Sequence, residues 1–321
     1  MIHLFKIENG RLSHVKVDDR AELSAGEIVW IDAVGLSDEE KHWLTETFQV
    51  DVEAPDDASD IEASARAYED EDGSLNLRSD FLISEPDGFR IEPVRFVLKN
   101  DALISIHDED LPVIRLLRLR SRAKLGTQAD PVDVLIGLFA LDVEYSADAL
   151  ESIYGELKAA SDSVLAERRG SDKDAAESIT RVAKQENLNG TIRRNLMDTR
   201  RTLSFLMREQ QLPKAQNEEI RQILRDIESL DGHTAFIFDK INFLMDAIIG
   251  FININQNKVV KIFSVAAVAM LPPTLIASIY GMNFEYMPEL AQKWGYPFSL
   301  ALMVVSVVVP FWFFRRKGWL K

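Results

Sequence analysis

The 321-residue chain contains no cysteine and only five histidines. Without thiols there is no disulfide framework, no cysteine-based zinc site, no iron–sulfur cluster and no thiol nucleophile. His3, His14, His42, His107 and His233 make no HExxH or other paired spacing. There is also no P-loop, no GxGxxG and no nucleophile elbow. An enzymatic function is therefore not expected. Positive charge is scarce, with 37 basic against 52 acidic side chains and a net charge of −15. Such a chain repels phosphate, so nucleic acid is not an expected partner. The mean hydropathy of −0.08 resembles that of an ordinary soluble protein, and this average conceals two unlike parts.

Residues 258–321 hold seven basic and two acidic side chains, a net of +5, which leaves −20 for residues 1–257. The basic end is also the apolar end. Residues 262–280 and 296–314 are two uncharged stretches of 19 residues each. As helices they are each roughly 28 Å long, close to the thickness of bilayer hydrocarbon. A pair of buried core helices would have the same composition. Cationic clusters flanking both stretches favour two membrane spans. Lys258 and Lys261 precede the first, and Arg315, Arg316, Lys317 and Lys321 follow the second. By the positive-inside rule both termini face the cytoplasm and the 281–295 loop lies outside. Met1–Gly10 carries Lys6 and Glu8 and no long apolar core, so no signal peptide is expected there.

The expected fold is an α+β cytoplasmic domain with very long helices, followed by a two-helix transmembrane region. Residues 1–128 read as mixed α/β, 129–257 as a long-helix region and stalk, and 258–321 as the membrane region. Hairpins are predicted around Glu8-Asn9-Gly10, at the Asp70–Gly73 turn and around Lys99-Asn100-Asp101. Glu27–Gly35 reads as a buried strand. Ser37, with Glu40 three residues on, predicts a capped helix to Phe48. Long helices are expected over Asp130–Glu167 and Asp172–Glu209, the second continuous despite Asn189-Gly190. A third runs from Lys214 through the first span to Gly281, roughly 100 Å at 1.5 Å per residue. Ile220, Ile223, Ile227, Leu230, Thr234, Ile237, Ile241, Leu244, Ile248 and Ile252 form a seam along it at steps of three and four. Such a seam packs against copies of itself or against the other long helices, and a symmetric oligomer about the membrane normal is the natural arrangement.

The first span ends in Ser278-Ile279-Tyr280-Gly281-Met282-Asn283-Phe284, followed by Glu285-Tyr286-Met287-Pro288-Glu289-Leu290. Taken alone, Gly281 and Asn283 fit left-handed helix termination. In this position the chain resembles the CorA family of magnesium transporters. The resemblance includes Gly-Met-Asn, Met-Pro-Glu-Leu, "WGYP" (Trp294–Pro297), "LPPTL" (Leu271–Leu275), "DIEASARAYEDEDG" (Asp60–Gly73), "LRDIESL" (Leu224–Leu230) and the basic end with Trp319-Leu320. It implies a homopentameric inner-membrane channel for Mg2+, also passing Co2+ and Ni2+. It makes Gly281, Met282 and Asn283 the selectivity filter. It makes Asn257, Val260, Phe263, Leu271 and Thr274 pore-lining, positions that share one helical face.

The chemistry of the ion agrees with these residues. Mg2+ is small, octahedral and slow to lose water, so a filter can hold the hydrated ion through its water shell. A carboxamide oxygen is a neutral acceptor suited to that. Glu285 and Glu289 would enrich cations at the mouth, or are simply solvated loop charges. Val260, Phe263 and Leu271 could form an apolar gate that closes by dewetting. Pro272-Pro273 is expected to bend the span. Lys258, Lys261, Arg315, Arg316 and Lys317 suit lipid anchoring, and the resemblance suggests a basic collar. The family also implies cytoplasmic Mg2+ sensing. Carboxylates crowd 51–62, 69–72, 108–110 and 226–228, with Asp56, Asp57, Asp60, Glu62, Asp226 and Glu228 as regulatory candidates. With no ATP site, membrane potential is the expected driving force, about 4.6 kcal/mol for a divalent ion at 100 mV. A ZntB-like zinc transporter and a non-conducting membrane-anchored helical scaffold are the alternatives. The absence of cysteine and the Met-Pro-Glu-Leu loop favour magnesium over zinc.

Overall fold

The computed structural model describes residues 1–8, 11–17, 23, 28–52, 66–85, 88–99, 101–123, 130–166, 172–283, 285, 287–289 and 292–319. It divides into two compact units. One comprises Met1–Ala166 with Ser178–Leu244, the other Glu167–Glu177 with Met245–Lys321.

The first unit is built on a seven-stranded sheet. Its strands are β1 (Ile2–Glu8), β2 (Arg11–Val17), β3 (Trp30–Val34), β4 (Ala67–Glu69), β5 (Leu75–Glu85), β6 (Gly88–Lys99) and β7 (Ala102–His107). Their order is β2-β1-β3-β7-β6-β5-β4. Only the β3–β7 pairing is parallel; the hairpin pairings β1–β2, β4–β5 and β6–β7 are antiparallel as the turn signals predict. Both faces are covered, which is why β3 is buried along its whole length. On one face Ile2, Leu4, Ile31, Ala33, Val97 and Ile104 pack with Leu44 of α1 (Asp38–Phe48). On the other, Phe81 and Phe96 meet Phe139 of α3 (Pro131–Ala166), with ring centroids 5.8 Å from it in each case.

α1 starts where predicted. Ser37 accepts from the Glu40 amide and Glu40 accepts from the Ser37 amide, a complete capping box. Glu40 also takes the Met1 ammonium, whose other acceptor is the Val34 carbonyl at 2.7 Å. At the β5–β6 hairpin, Gly88 has φ +146°, and a Cβ there would stand 2.6 Å from Leu188 Cδ2. Only glycine admits that close approach.

Two buried polar networks tie helices to the sheet. Asp32 of β3 accepts from His107 Nε2 and Ser105 Oγ at 2.8 Å each and pairs with Arg118 of α2 (Pro112–Ala123). Burial works to raise the Asp32 pKa, but the hydrogen bond and charge of His107 and the charge of Arg118 bring it below its ordinary value. Burial likewise opposes the charged form of His107, and Asp32 with the Glu109 carbonyl raises its pKa regardless.

The second network covers the free stretch of β5, which pairs with β4 only as far as Leu77. The Asp80 amide donates to Asp198 of α4 (Asp172–Glu209) at 2.9 Å, and Asp142 of α3 lies beside the Leu82 amide. Asp198 also takes Arg66 at 2.7 Å. Asp142 accepts from Asn195 Nδ2 at 2.8 Å and Thr199 Oγ1 at 3.2 Å. A helix carboxylate thus satisfies a strand amide that would otherwise be orphaned.

α4 runs unbroken through Asn189-Gly190, and Asn189 donates to the Thr234 carbonyl of α5 (Lys214–Tyr280) at 2.9 Å. The seam residues Ile220, Ile223, Ile227, Thr234, Ile237, Ile241 and Leu244 are buried inside the chain. Of the two arrangements open to the seam, the structure adopts packing against the chain's own long helices. What α5 leaves exposed in this unit is another face, bearing Phe236 and Phe243.

Burial pushes the Asp142 carboxyl up to about 7. Between its unfolded value near 3.8 and about 7, the folded chain binds the extra proton, so this group's contribution falls as pH rises through that window. Asp142→Asn should flatten that loss and raise the melting temperature at pH 8 but not at pH 4, with a limiting effect on the order of 4 kcal/mol. Thermal melts across pH 4–8 check this.

Candidate functional site

The second unit contains the apolar end of α5 and the helix α6 (Gly295–Arg316). Both helices are long and apolar enough to cross a membrane, and each apolar window is almost wholly exposed within the chain. On α5 in this segment the buried residues are Val265 and Ala269, one turn apart. At 3.6 residues per turn, Asn257, Val260, Phe263, Leu271, Thr274 and Gly281 fall within an arc of about 120°. That arc is centred about 160° from Val265 and Ala269. Val260, Phe263 and Leu271 are 62, 71 and 67 % exposed. The candidate pore face is thus the side of α5 that the chain itself leaves bare.

α5 continues through Pro272 and Pro273. Thr274 Oγ1 donates to the Met270 carbonyl at 2.7 Å, so its proton is used within the helix and its lone pairs point outward to be shared. The helix ends at Tyr280, with Gly281 N bonded to the Ala277 carbonyl at 2.9 Å and Met282 N to that of Ile279 at 3.2 Å. Neither Gly281 nor Asn283 has a positive φ. The left-handed termination expected of an isolated Gly–Asn pair does not occur. Instead glycine is suited here by proximity, since a Cβ would sit 3.2 Å from the Ala277 oxygen. Met282 and Asn283 follow, both exposed, and Glu285 and Glu289 are exposed beyond them. Phe284, Tyr286, Leu290 and Ala291 lie outside the described residues.

Aromatic residues mark both ends of α6. Trp294 and Tyr296 are exposed at its start, Trp312 and Trp319 at its end. This is the distribution found at bilayer interfaces. Arg316 lies over the Trp312 ring and Lys317 over that of Phe313, each 5.3 Å from the centroid. Gly318, at φ +77°, turns the chain so that Trp319 packs on Phe314 at 5.2 Å. Lys258 and Lys261, both exposed, precede the apolar stretch of α5 and so belong to the same end of the helix pair.

The regulatory candidates fare unevenly. Asp56, Asp57, Asp60 and Glu62 lie outside the described residues. Asp226 and Glu228 are exposed on α5. Asp226 accepts from Gln222 and borders a groove of about 300 Å³ shared with Glu144 of α3, a residue no sequence signal singles out. Elsewhere the acidic runs are partly tied up. Asp72 takes Lys99 at 2.7 Å and hydrogen bonds from Ser74, which hold its carboxyl well below the usual range. Glu109 pairs with Arg90, and Asp110 with Arg115. Among the described residues of one chain, no three His, Asp or Glu side chains gather to hold a metal ion.

The sequence model of CorA-like Mg2+ transporter proteins matches residues 25–316. The magnesium transport protein CorA of Pasteurella multocida is 42 % identical over 321 residues, covering all of both chains. The protein of the same name from Yersinia pseudotuberculosis is 40 % identical, again end to end. Among solved structures, the complete CorA magnesium transporter of Methanocaldococcus jannaschii superposes with a TM-score of 0.79 at 24 % identity, over 99 % of this chain and 98 % of that one. The ZntB cytoplasmic domain of Vibrio parahaemolyticus gives 0.58 at 12 % identity, over 79 % of this chain and 97 % of that one.

Because the chain has no cysteine, its orientation can be read by single-cysteine labelling. In intact cells a membrane-impermeant maleimide should modify Trp294→Cys and spare Lys317→Cys until the membrane is permeabilised. The opposite pattern would invert the topology.

Proposed function

The chain belongs to the CorA-like Mg2+ transporter family, and from that premise we propose that it forms a membrane channel carrying Mg2+ into the cytoplasm. The observation that carries the reading is the exposed Gly281-Met282-Asn283 segment at the end of an apolar helix whose candidate pore face is uncovered. A face bearing Asn257, Thr274 and Asn283 among Val260, Phe263 and Leu271 fits poorly against lipid alone. Closed into a ring with copies of itself, it becomes a narrow path with oxygen acceptors at intervals. The family resemblance supports five copies.

In this reading Asn283 accepts hydrogen bonds from the water shell of Mg2+, and Gly281 and Met282 complete the filter. A ring of neutral amides binds weakly enough for release, where a ring of carboxylates would hold the ion. Glu285 and Glu289 raise the local cation concentration outside. Thr274 offers a second ring of oxygens with its proton already donated backward. Val260, Phe263 and Leu271 form the dry constriction. Membrane potential drives the ion inward, and Co2+ and Ni2+ follow as similarly hydrated ions. Residues 1–128 and 129–257 form the cytoplasmic part and 258–321 the pore of an inner-membrane protein with both termini inside. Lys258, Lys261, Arg315, Arg316 and Lys317 anchor that inner end in the headgroups or ring it as a collar.

Regulation follows from charge. A net of −20 per chain becomes −100 in a pentamer. Mg2+ bound between subunits, with Asp226 and Glu228 and the 56–62 carboxylates as candidates, would relieve the repulsion and favour the closed state. A site tuned to millimolar ion is worth only about 4 kcal/mol, so several must act together.

Reconstituted in liposomes with an inside-negative potential, the wild type should take up Mg2+, and Asn283→Ala should bring uptake to background. Thr274→Val should slow it less. No uptake by the wild type would favour the scaffold reading, and Zn2+ uptake without Mg2+ uptake would select a ZntB-like transporter. Unchanged uptake by Asn283→Ala would remove the filter assignment. Phe243→Glu, which charges the exposed face of α5, should shift the purified oligomer toward smaller species in light scattering.

A further inference from the structure

The sheet carries a histidine pair that transport does not use. His3 on β1 and His14 on the edge strand β2 are diagonal neighbours, because His3 lies opposite Lys16 and Phe5 opposite His14. His14 Nε2 and His3 Nδ1 stand 2.9 Å apart, with ring centroids 4.9 Å apart and planes tilted by 44°. Both side chains are half-exposed. We propose that His3 and His14 together chelate one octahedral transition-metal ion, Ni2+ or Co2+, at the edge of the sheet.

The separation of the two nitrogens carries the argument. Imidazole binds such ions at about 2.1 Å, so two ligands in adjacent octahedral positions are about 3 Å apart. Tetrahedral coordination would need about 3.4 Å, which disfavours Zn2+. The pair now shares one proton between two lone pairs. Replacing that proton with a metal ion keeps the N···N separation and turns both rings, because a hydrogen bond lies along the N···N line and a chelated ion sits about 45° off it.

The pair is also held in place. The His14 ring packs on Phe5 at 5.1 Å, and Phe5 stacks on Trp30 at 4.2 Å. Trp30 is fixed in turn by its hydrogen bond to Ser105 at 2.9 Å. Ligands so supported need little ordering on binding. Burial, and then the charge of Arg118, lower the pKa of His3, which keeps it in the neutral form that binds metals. Asp32 offsets the Arg118 charge, and Asp110 adds a negative field. No third protein ligand is present among the described residues, so water fills the other positions and binding is reversible. Mg2+ prefers oxygen and should not compete. Bound metal would clip β2 to β1 and stabilise the sheet edge by mass action.

The test is calorimetric titration of the tag-free, full-length protein in detergent with NiCl2, in excess MgCl2. The wild type should bind one Ni2+ per chain, and His42→Gln should do the same. His3→Gln and His14→Gln should each lose that site. In the wild type, Ni2+ should also shield His3 and His14, but not His42, from diethylpyrocarbonate, read by peptide mass spectrometry without any substitution. No Ni2+ binding by the wild type, an unchanged isotherm in both variants, displacement by Mg2+, or unshielded His3 and His14 would overturn the proposal.

Discussion

Hydrocarbon does not tolerate unpaired backbone amides and carbonyls, and the design of this protein's membrane end depends on that constraint. Both apolar stretches must be helical throughout, so they cannot expose backbone to an ion along most of their length. Polar contact then comes from side chains or from the point where a helix stops. The first helix stops at Tyr280, and Gly281-Met282-Asn283 follows at once. Pro272 and Pro273 withdraw two amide donors within the span, and the helix nonetheless continues through them. Thr274, one residue on, returns a hydroxyl hydrogen to the Met270 carbonyl.

At this end a single chain covers little of its own apolar surface. On α5, Val265 and Ala269 are buried while the opposite face stays bare. Lipid can cover Val, Leu and Phe, whereas Asn257 and Asn283 lie at the two ends of the apolar stretch. In the proposed channel, copies around an axis would bury the apolar residues against one another and leave the polar ones facing a water-filled line.

The soluble unit solves a related problem by different means. Strand β5 outruns its neighbour β4, and its Asp80 amide is met by Asp198 from one helix while Asp142 from another lies beside Leu82. Both carboxylates are buried in a strongly acidic chain, where each needs a compensating donor. Asp198 has the guanidinium of Arg66, whereas Asp142 has the neutral donors Asn195 and Thr199, and burial pushes its carboxyl up to about 7 against them.

Much of this was legible from residue order, because it rests on local physics. Uncharged length announced the two long apolar helices, Ser37 and Glu40 a helix start, and turn residues the hairpins. The Gly-Met-Asn segment was legible through its place after the first span. Residue order also showed that the α5 seam would be buried, but two partners fitted it, and only packing shows that the chain covers it from within. Asp32, Asp142 and Asp198 look like any other acidic residues until strand order and helix placement bring Arg118, Asn195 and Arg66 to them. His3 and His14, eleven positions apart, become a pair only through the β1–β2 register. A sequence determines by itself whatever depends on neighbours along the chain. Charge pairing, burial and ligand geometry depend on neighbours in space, so the tertiary structure decides them.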